Sequence, residues 1–435
     1  MKKVMFVVSS LLICLLFLDG SNAYGTLSYE KALQCNQEEK DSVVLLGIPE
    51  NSLFVVRDTL NLYGRDITLP KSVTLVFEGG LIYGGRLIGN NTKIECDSLA
   101  IFDNVKIDGS WNVPNISTSM FANLDYENSL RDVIALTNPK VNNTVIINKG
   151  DYLVTAMTNR DICLSIGSNT TLVMDGTIQM TPNNFPRYDI FRVNGNNILI
   201  TGKGAIVGDK NNHTGSEGEW GMGIRFHNAT NACVEHITIR DCWGDCIYVG
   251  ANSKNVSIED CVLDNGRRQG ISITKADSVA IRNCVISNVA GTKPEYAIDI
   301  EPNQGDTISN VLVENVDIRN CIGGILVTKG GVEDRGKNAL IKKVEIKNCS
   351  LSGINTYPVR IRRCDYAIVE GCSVISKNSY PSIYAAEVGN IAIMNNFISF
   401  SIDVVNEKDR NKYKSISVSK CGLEMITNNS FIERL

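Results

Sequence analysis

The chain has 435 residues, enough for one large domain or for two to three domains of ordinary size. Hydrophobic residues make up 43% of the chain and charged residues 21%, a composition typical of a globular protein and unlike that of a disordered one. The formal net charge of −4 argues against nucleic-acid binding by bulk positive charge, so no nucleic-acid partner is expected.

Residues 1–23 are predicted to be a secretory signal peptide. Two lysines precede an apolar run over residues 4–18, and a small-x-small motif ends at Ala23. The apolar run is short for a helix that spans a bilayer. We therefore expect cleavage, and a secreted or periplasmic mature chain with no integral membrane segment. An uncleaved anchor helix and a lipoprotein built on Cys14 are the alternatives.

Residues 24–125 follow as a β-rich segment with many glycines, including the run TLVFEGGLIYGGRLIG. Short Val- and Ile-rich runs broken by Gly and Asn are typical of strands and turns. We predict an N-terminal β-rich cap over residues 24–125 and a repeat domain over residues 126–435.

Two series of apolar residues recur along the second half of the chain, each heading a short Val- or Ile-rich run. The first series is Ile239, Ile258, Ile281, Val313, Ile346, Val369 and Ile393. The second series is Ile224, Ile247, Ile271, Ile298, Ile325, Val359 and Ile383. Neighbours within a series lie 19 to 34 residues apart. A shared period of twenty-odd residues, lengthened by insertions, predicts one solenoid coil per repeat.

The fold class predicted from these repeats is all-β, a right-handed parallel β-helix (solenoid) with an N-terminal β-rich cap. No long stretch has helical periodicity, and each short strand can bury its apolar face only by stacking on the next coil. The right hand follows from the rule for parallel crossover connections. A β-propeller is the alternative, but it requires regular hairpins, and tight Asn-Gly or Asp-Gly hairpin turns are not the rule here.

Five of the fourteen cysteines each follow a short β-rich run: Cys242, Cys261, Cys284, Cys349 and Cys372. Because buried cysteine behaves as a small apolar residue, the repeated position predicts an interior stack of thiols. Disulfide pairing, common in exported proteins, is the alternative. The spacing matches no zinc-site pattern.

The stretch YAIDIEP alternates apolar and acidic residues. In a strand, Ile298 and Ile300 would be buried, while Asp299 and Glu301 would share the outer face. Aligning the second series places further polar residues on the same face. The outward residues singled out are Arg225, His227, Tyr248, Asp299, Glu301, Arg360 and Arg362. Adjoining loops add Trp243, Asp245, Arg267, Arg268 and Lys275.

This face is predicted to bind an acidic polysaccharide or oligosaccharide, because the guanidinium fork matches carboxylate and sulfate groups. The alternative is an arginine–carboxylate ladder that only solubilises the sheet. Aromatic residues form 7% of the chain. Trp243 is predicted to stack on a sugar ring, with a turn residue packed on a loop as the alternative, and no larger aromatic stacking surface is expected.

The chain resembles the pectin-lyase-like superfamily of right-handed β-helix proteins, which includes glycoside hydrolases, polysaccharide lyases and epimerases. It also resembles the polygalacturonases of glycoside hydrolase family 28 locally. Gly244-Asp245-Cys246 stands where that family has GDD, and Arg268-Gln269-Gly270 where it has GHG. Arg360-Ile361-Arg362 is similar to the family's RIK, but it comes later in the chain.

The departures from that pattern remove most of its chemistry. GMGIRFH replaces the NTD motif, Cys246 replaces the second aspartate of GDD, and the histidine of GHG is absent. Of the three carboxylates of the family, only Asp245 has a counterpart. The resemblance therefore implies the place of the site and a carbohydrate ligand, without the polygalacturonase mechanism.

We predict an enzyme that cleaves the polysaccharide by glycoside hydrolysis, and the residues leave two alternatives open. Glycoside hydrolysis would use Asp299, Glu301 and Asp245 as catalytic carboxylates, without a cofactor. A polysaccharide lyase or C5-epimerase would use the Arg, Lys275, His227 and Tyr248 groups on a uronate, with calcium as an option. A non-catalytic glycan-binding or structural β-helix is the second alternative.

Overall fold

A computed structural model describes residues 5–9, 12–16, 44–96, 100–124, 128–329, 338–377, 379–401 and 415–434. The lysines and cleavage motif of the predicted signal peptide lie outside these ranges, as does the predicted boundary between residues 125 and 126. Both stay predictions. None of the helices within the described ranges is long and apolar enough to cross a membrane.

The chain divides into two compact units: Met1–Asn148 with Asn169–Val173, and Lys149–Ser168 with Met174–Leu435. The first unit contains a short helix α1, Leu130–Ala135, and a 3-10 helix, Thr118–Met120. Its strands are β1 Met5–Ser9, β2 Leu12–Leu16, β3 Leu53–Val56, β4 Thr59–Asn61, β5 Asp66–Thr68, β6 Thr74–Phe77, β7 Leu81–Cys96, β8 Phe102–Asn112, β9 Asn115–Ser117, β10 Asn143–Ile147, and β13 Thr170–Met174, which belongs to this unit up to Val173.

Parallel strands build the β-rich part of the first unit. In β3, β6 and β7, the buried residues Phe54, Leu75 and Ile94 occupy one register position. The rings of Phe77 and Phe102 meet edge to face, with centroids 5.9 Å apart. Stacked apolar side chains of this kind stabilise short strands that would be unstable alone.

The second unit is a solenoid of three parallel sheets, each receiving one short strand from every coil. The front sheet contains β12 Asp161–Ile166, β19 Ile247–Gly250, β22 Ile271–Ile273, β25 Tyr296–Ile300, β28 Gly323–Val327, β32 Val359–Arg362, β35 Ile383–Ala386 and β38 Ile416–Ser419. Two long strands bend and serve both the front and the side sheet: β15 Arg187–Gly202 and β17 Trp220–Glu235.

The side sheet continues with β20 Ser253–Glu259, β23 Ala276–Arg282, β26 Thr307–Glu314, β29 Leu340–Ile341, β30 Lys343–Lys347, β33 Tyr366–Glu370, β36 Asn390–Met394 and β39 Leu423–Thr427. The back sheet contains β11 Asp151–Val154, β14 Thr177–Met180, β16 Ala205–Val207, β18 Thr238–Arg240, β21 Val262–Asp264, β24 Val285–Ser287, β27 Asp317–Arg319, β31 Ser350–Ser352, β34 Ser373–Ser376, β37 Phe397–Ser401 and β40 Ser430–Arg434.

The second apolar series forms one continuous inward column of the front sheet. Ile247, Ile271, Ile298, Ile325 and Val359 are paired in that order on successive strands. All five side chains are fully buried. Because side chains alternate across a strand, this column fixes which residues of every coil point outward.

The first apolar series forms the corresponding column of the side sheet, with one error. Ile258, Ile281 and Val313 are paired as predicted. Ile239 instead belongs to the back sheet, and Val234 is the residue paired with Ile258. The short separation of 19 residues arose from this misassignment, because the back strand β18 begins a few residues after Val234, the true partner of Ile258.

The predicted thiol stack holds for four of the five cysteines. Cys261, Cys284, Cys349 and Cys372 are buried, unpaired, and each directly precedes a back-sheet strand. Cys242 is also buried, but it follows a back-sheet strand and lies at a different corner of the coil. The thiols therefore act as small apolar side chains at two corners rather than at one.

The inward column of the side sheet should carry much of the stability of the second unit. Replacing the fully buried Ile281 by alanine should lower the free energy of unfolding by about 2–5 kcal/mol, because it leaves a cavity between two coils. Val262, which is 41% exposed, gives the control Val262→Ala, with an expected change within about 0.5 kcal/mol. Urea unfolding monitored by circular dichroism compares the two; equal shifts would contradict a core role for the column.

Candidate functional site

Successive front-sheet strands place their outward side chains in one column along the solenoid. The residues in this column, in order, are Arg192, Arg225, Tyr248, Ser272, Asp299, Leu326, Arg360 and Tyr384. Four of these residues, Arg225, Tyr248, Asp299 and Arg360, lie in the order that the alignment of the second series predicts. Parallel strands lie about 4.8 Å apart, so each step along the column is about that long.

Asp299 is the most perturbed carboxyl group of the front sheet. Its side chain is buried, with 3% of the residue exposed. Oδ2 accepts a hydrogen bond from Nε2 of Gln269 at 2.8 Å, whereas Oδ1 is buried without a hydrogen-bond partner. Burial and, next, repulsion by Glu301 raise the pKa of Asp299 well above its ordinary value, although Arg268 opposes the rise. A buried carboxyl group in this setting favours its protonated form.

Glu301 lies two residues further along, directly after β25, and is more accessible than Asp299. Its backbone N–H donates to the carbonyl oxygen of Ile273 at 3.0 Å, which continues the pairing between the two coils. Alternate residues of a strand have Cα atoms about 6–7 Å apart. The sheet thus holds one buried and one more accessible carboxyl group side by side.

Asp245 lies just before β19 and is fully buried. Both of its carboxylate oxygens lie 3.3 Å from Nη1 of Arg268, whose Nε is 3.7 Å from Oε1 of Glu219. Burial raises the pKa of Asp245, and Arg268 opposes that rise. Although burial alone would lower the pKa of Arg268, the carboxylates of Asp245, Asp299 and Glu219 raise it. Arg268 therefore stays a cation at the centre of three acidic groups.

A second buried ion-pair cluster lies on the coils before Asp245. Asp189 is fully buried and accepts hydrogen bonds from Nε of Arg192 at 2.8 Å and from Nε of Arg225 at 2.7 Å. The guanidinium of Arg225 lies 4.3 Å from the ring centroid of Tyr248, and its Nη2 is buried without a partner. Burial and, next, Arg192 and Arg225 lower the pKa of the half-buried His227.

The structure places Trp243 inside the protein. The residue is 8% exposed, the ring of His213 stacks on it at 3.8 Å, and the guanidinium of Arg267 lies 3.6 Å from its ring centroid. Nη1 of Arg267 also donates to the carbonyl oxygen of Gly218 at 3.0 Å. Trp243 and Arg267 therefore anchor the loop that precedes β17 and that carries Glu219 to Arg268.

The remaining predicted binding residues are Lys275, Arg360 and Arg362. Nζ of Lys275 forms an ion pair with Asp306 at 2.9 Å at the edge of the front sheet. Arg362 lies 3.8 Å from Glu387. Arg360 is in register with Asp299 two coils away, and its guanidinium lies 5.0 Å from the ring centroid of Tyr357.

Sequence reasoning missed three residues that shape the centre of the site: Asp189, Glu219 and Gln269. Asp189 lies on β15, three residues before Arg192, and pairs with Met222 of β17, so a longer aligned segment of these two strands would have included it. Gln269 lies in the quoted motif RQG, but its bond to Asp299 spans 30 residues of chain. No sequence signal connects Glu219 with Arg268.

Within the described ranges, no group of three or more His, Cys, Asp or Glu side chains is arranged to hold a metal ion.

The geometry has counterparts among known proteins. The family described as "Right handed beta helix region" matches residues 176–341. A mannuronan C-5 epimerase A-module from Azotobacter vinelandii superimposes with a TM-score of 0.51 and 13% identity, covering 74% of this chain and 96% of that one. The chain is a right-handed parallel β-helix protein. The fold expected from the repeats is thereby confirmed, while the local resemblance to polygalacturonases stays a prediction.

Two curated relatives of this β-helix protein come from Bacillus subtilis. The uncharacterized protein YclG is 31% identical over 207 residues, which cover 41% of this chain and 35% of YclG. The SPbeta prophage-derived uncharacterized protein YorA is 30% identical over 162 residues, covering 32% and 28% of the two chains. The matches thus span about a third of these relatives' own length, and neither name gives an activity.

The raised pKa of Asp299 predicts a pH-dependent stability. A carboxyl group whose pKa is higher in the folded state contributes stability below its unfolded pKa, and this contribution is lost as the pH rises through the folded pKa. Asp299→Asn has no carboxyl group to ionise, so it does not lose stability in this way, and its side-chain oxygen can still accept the hydrogen bond from Gln269. The variant should therefore gain stability relative to the parent as the pH rises from about 4 to about 8, measured by thermal melting.

Asp277 provides a control of opposite sign. Hydrogen bonds from Ser309 and Asn310 lower its pKa, so its contribution is present above the unfolded pKa and is lost in acid. Asp277→Asn should lose stability relative to the parent as the pH rises from about 2 to about 5. A pH-independent difference for Asp299→Asn, with the expected trend for Asp277→Asn, would contradict the assignment of Asp299.

Proposed function

We propose that this β-helix protein is a carbohydrate-active enzyme that hydrolyses an acidic polysaccharide bound along its front sheet. One observation carries the proposal: Asp299 on β25 and Glu301 directly after that strand lie in unlike environments. Burial and the charge of Glu301 raise the pKa of Asp299, as a general acid requires, while Glu301 is the more accessible of the two. Glycoside hydrolysis needs such a pair.

In the proposed reaction, the protonated carboxyl group of Asp299 donates its proton to the glycosidic oxygen as the bond to the anomeric carbon breaks. The ionised Glu301 accepts a proton from the water that attacks that carbon. Gln269 holds Asp299 through Oδ2. Both carboxylate oxygens of Asp245 are engaged by Arg268, whereas Oδ1 of Asp299 has no hydrogen-bond partner, so we assign Asp245 the positioning of that arginine rather than contact with the substrate.

Three arginines on or beside the front sheet support an acidic substrate: Arg225, Arg268 and Arg360. Arg225 has a buried Nη2 without a partner, and a sugar carboxylate or sulfate would supply the missing acceptor. The mannuronan epimerase has the same fold, and its name gives a uronate polymer as its substrate. That likeness supports the class of ligand through the fold alone.

A second candidate function is β-elimination or C5-epimerisation of a uronate, and His227 is the observation that favours it. Burial and the neighbouring Arg192 and Arg225 lower its pKa, so the imidazole is neutral at pH 7 and can accept a proton. Arg225 would neutralise the uronate carboxylate, and Tyr248 would return a proton. Calcium would assist by stabilising the same carboxylate.

The deciding assay incubates the purified protein with polygalacturonate, alginate, chondroitin sulfate and a neutral galactan, with and without calcium. New reducing ends and the ultraviolet absorbance of unsaturated products are followed together, and nuclear magnetic resonance detects epimerisation. Reducing ends alone are expected for hydrolysis. Both signals together would replace hydrolysis by elimination, and no reaction on the panel would favour a non-catalytic glycan-binding protein.

Substitution of the carboxyl groups tests the roles of Asp299 and Glu301. Asp299→Asn and Glu301→Gln should each lower turnover by about 10²–10⁴-fold, because each removes one proton-transfer group. Asp317→Asn on the back sheet and Glu314→Gln on the side sheet are the matched controls and should leave turnover unchanged. Full activity of the two front-sheet variants would remove the carboxyl pair from the mechanism.

Elimination or epimerisation with His227 as the base predicts the opposite effects on turnover. If elimination is the reaction, His227→Gln should lower turnover by about 10²–10⁴-fold and Glu301→Gln should have a small effect. Under the proposed hydrolysis, Glu301→Gln should lower turnover more than His227→Gln does. Initial rates on the same substrate decide between them.

A further inference from the structure

Three tyrosines from two successive coils gather at one place on the front sheet. The ring centroid of Tyr357 lies 4.7 Å from that of Tyr380 and 5.4 Å from that of Tyr384. The guanidinium of Arg360 lies 5.0 Å from the ring centroid of Tyr357. We call these four residues the tyrosine–arginine cluster. The sequence indicates no aromatic surface beyond Trp243, so the cluster is a feature that the fold creates.

The cluster lies in line with the proposed catalytic carboxyl groups. Asp299, Leu326, Arg360 and Tyr384 are in register on four successive front-sheet strands. Two strand spacings place Arg360 about 10 Å from Asp299 along the solenoid, and three place Tyr384 about 14 Å from it. A pyranose residue advances a polymer by roughly one strand spacing. In a polysaccharide cleaved beside Asp299, the sugar residue two to three positions from the cleaved bond would thus lie at the cluster.

Arg360 carries a charge without an acidic partner. Unlike Arg362 and Arg363, which both approach Glu387, it forms no ion pair with any carboxylate in the described part of the chain. Its Nε atom is buried without a hydrogen-bond partner. The guanidinium has the neutral hydroxyl group of Tyr296 as a hydrogen-bond partner, and a carboxylate or sulfate is the charged acceptor that would match it best.

The tyrosines present apolar ring surface beside this cation. The rings of Tyr380 and Tyr384 are inclined to that of Tyr357 by 57° and 52°, and Tyr380 is 40% exposed. Tyrosine combines a broad apolar face with a polar hydroxyl group and costs little conformational entropy on binding. The C–H face of a sugar ring packs on such a surface, while the sugar's charged group points to the arginine.

We propose that the tyrosine–arginine cluster is a binding subsite for one anionic sugar residue of the polysaccharide, two to three residues from the bond that is cleaved. The proposal rests on the proposed function, since it takes the front sheet as the polymer's binding face. It assigns Tyr380 and Tyr384 to the sugar ring and Arg360 to its carboxylate or sulfate group.

The test measures binding rather than turnover, so that it stands apart from the catalytic proposal. The full-length Asp299→Asn variant serves as the parent, and affinity electrophoresis in gels containing polygalacturonate, alginate or chondroitin sulfate gives dissociation constants. Tyr380→Ala and Tyr384→Ala should each weaken binding by about 2- to 10-fold. Tyr366, 36% exposed at the start of the side-sheet strand β33, provides the control Tyr366→Ala, with unchanged binding.

Salt separates the two parts of the subsite. Arg360→Gln should weaken binding to the acidic polymers at low salt, and the difference should shrink at about 1 M salt, where charges are screened within about 3 Å. The effects of the tyrosine substitutions should persist there, because ring packing is not screened. Melting temperatures close to the parent's confirm that each variant is folded.

Each outcome bears on the subsite separately from the catalytic proposal. Selective loss of binding in the tyrosine and arginine variants supports the subsite. This holds even if the wild-type protein cleaves none of the polymers, because that result would count only against the proposed hydrolysis. Variants at Tyr380, Tyr384 and Arg360 that bind as Tyr366→Ala does would overturn the subsite, whatever the activity of the wild type. Absence of binding by the parent to all three polymers would also overturn it.

Discussion

Every feature of the front sheet depends on the pairing of one inward isoleucine with the next. Ile247, Ile271, Ile298 and Ile325 lie in register and are fully buried. A slip of one residue in any strand would turn its apolar side chains to solvent and its acids and arginines to the core. Because that exchange is energetically costly, the strand register of each coil is fixed. The outward column from Arg192 to Tyr384 is therefore a consequence of core packing, not of contacts among the outward residues themselves.

Three buried aspartates of this protein lie in different electrostatic environments. Asp189 and Asp245 are as buried as Asp299, but each lies against arginine side chains that compensate for the loss of water. Asp299 instead receives its hydrogen bond from the neutral amide of Gln269. Arg268, the nearest cation, is engaged with Asp245. Asp299 is thus left in a setting that favours its protonated form, whereas Glu301 beside it has a different environment. Unlike environments of this kind allow one carboxyl group to act as an acid and the other as a base.

The solenoid also explains why charged and aromatic groups can act together over a long distance. Parallel coils repeat at a nearly constant spacing, so side chains from many parts of the sequence align along one extended face. The proposed ligand, a linear polysaccharide, has a regular repeat of its own that such a face can follow. The ion-pair cluster around Asp189, the carboxyl groups near Asp299 and the tyrosine–arginine cluster occupy successive parts of it.

The repeat, the inward column of the front sheet and the outward direction of Asp299 and Glu301 could all be predicted from the sequence. These properties are local, because alternation along a strand and the spacing of apolar residues are encoded in short segments. Ile239 was misplaced, because a back-sheet strand and a side-sheet strand carry the same apolar pattern. The packing of Trp243 against His213, the hydrogen bond from Gln269 to Asp299 and the meeting of Tyr357, Tyr380 and Tyr384 appear only in the folded protein. Those contacts join different coils and loops, and they depend on loop paths and on burial, neither of which a short segment of sequence encodes.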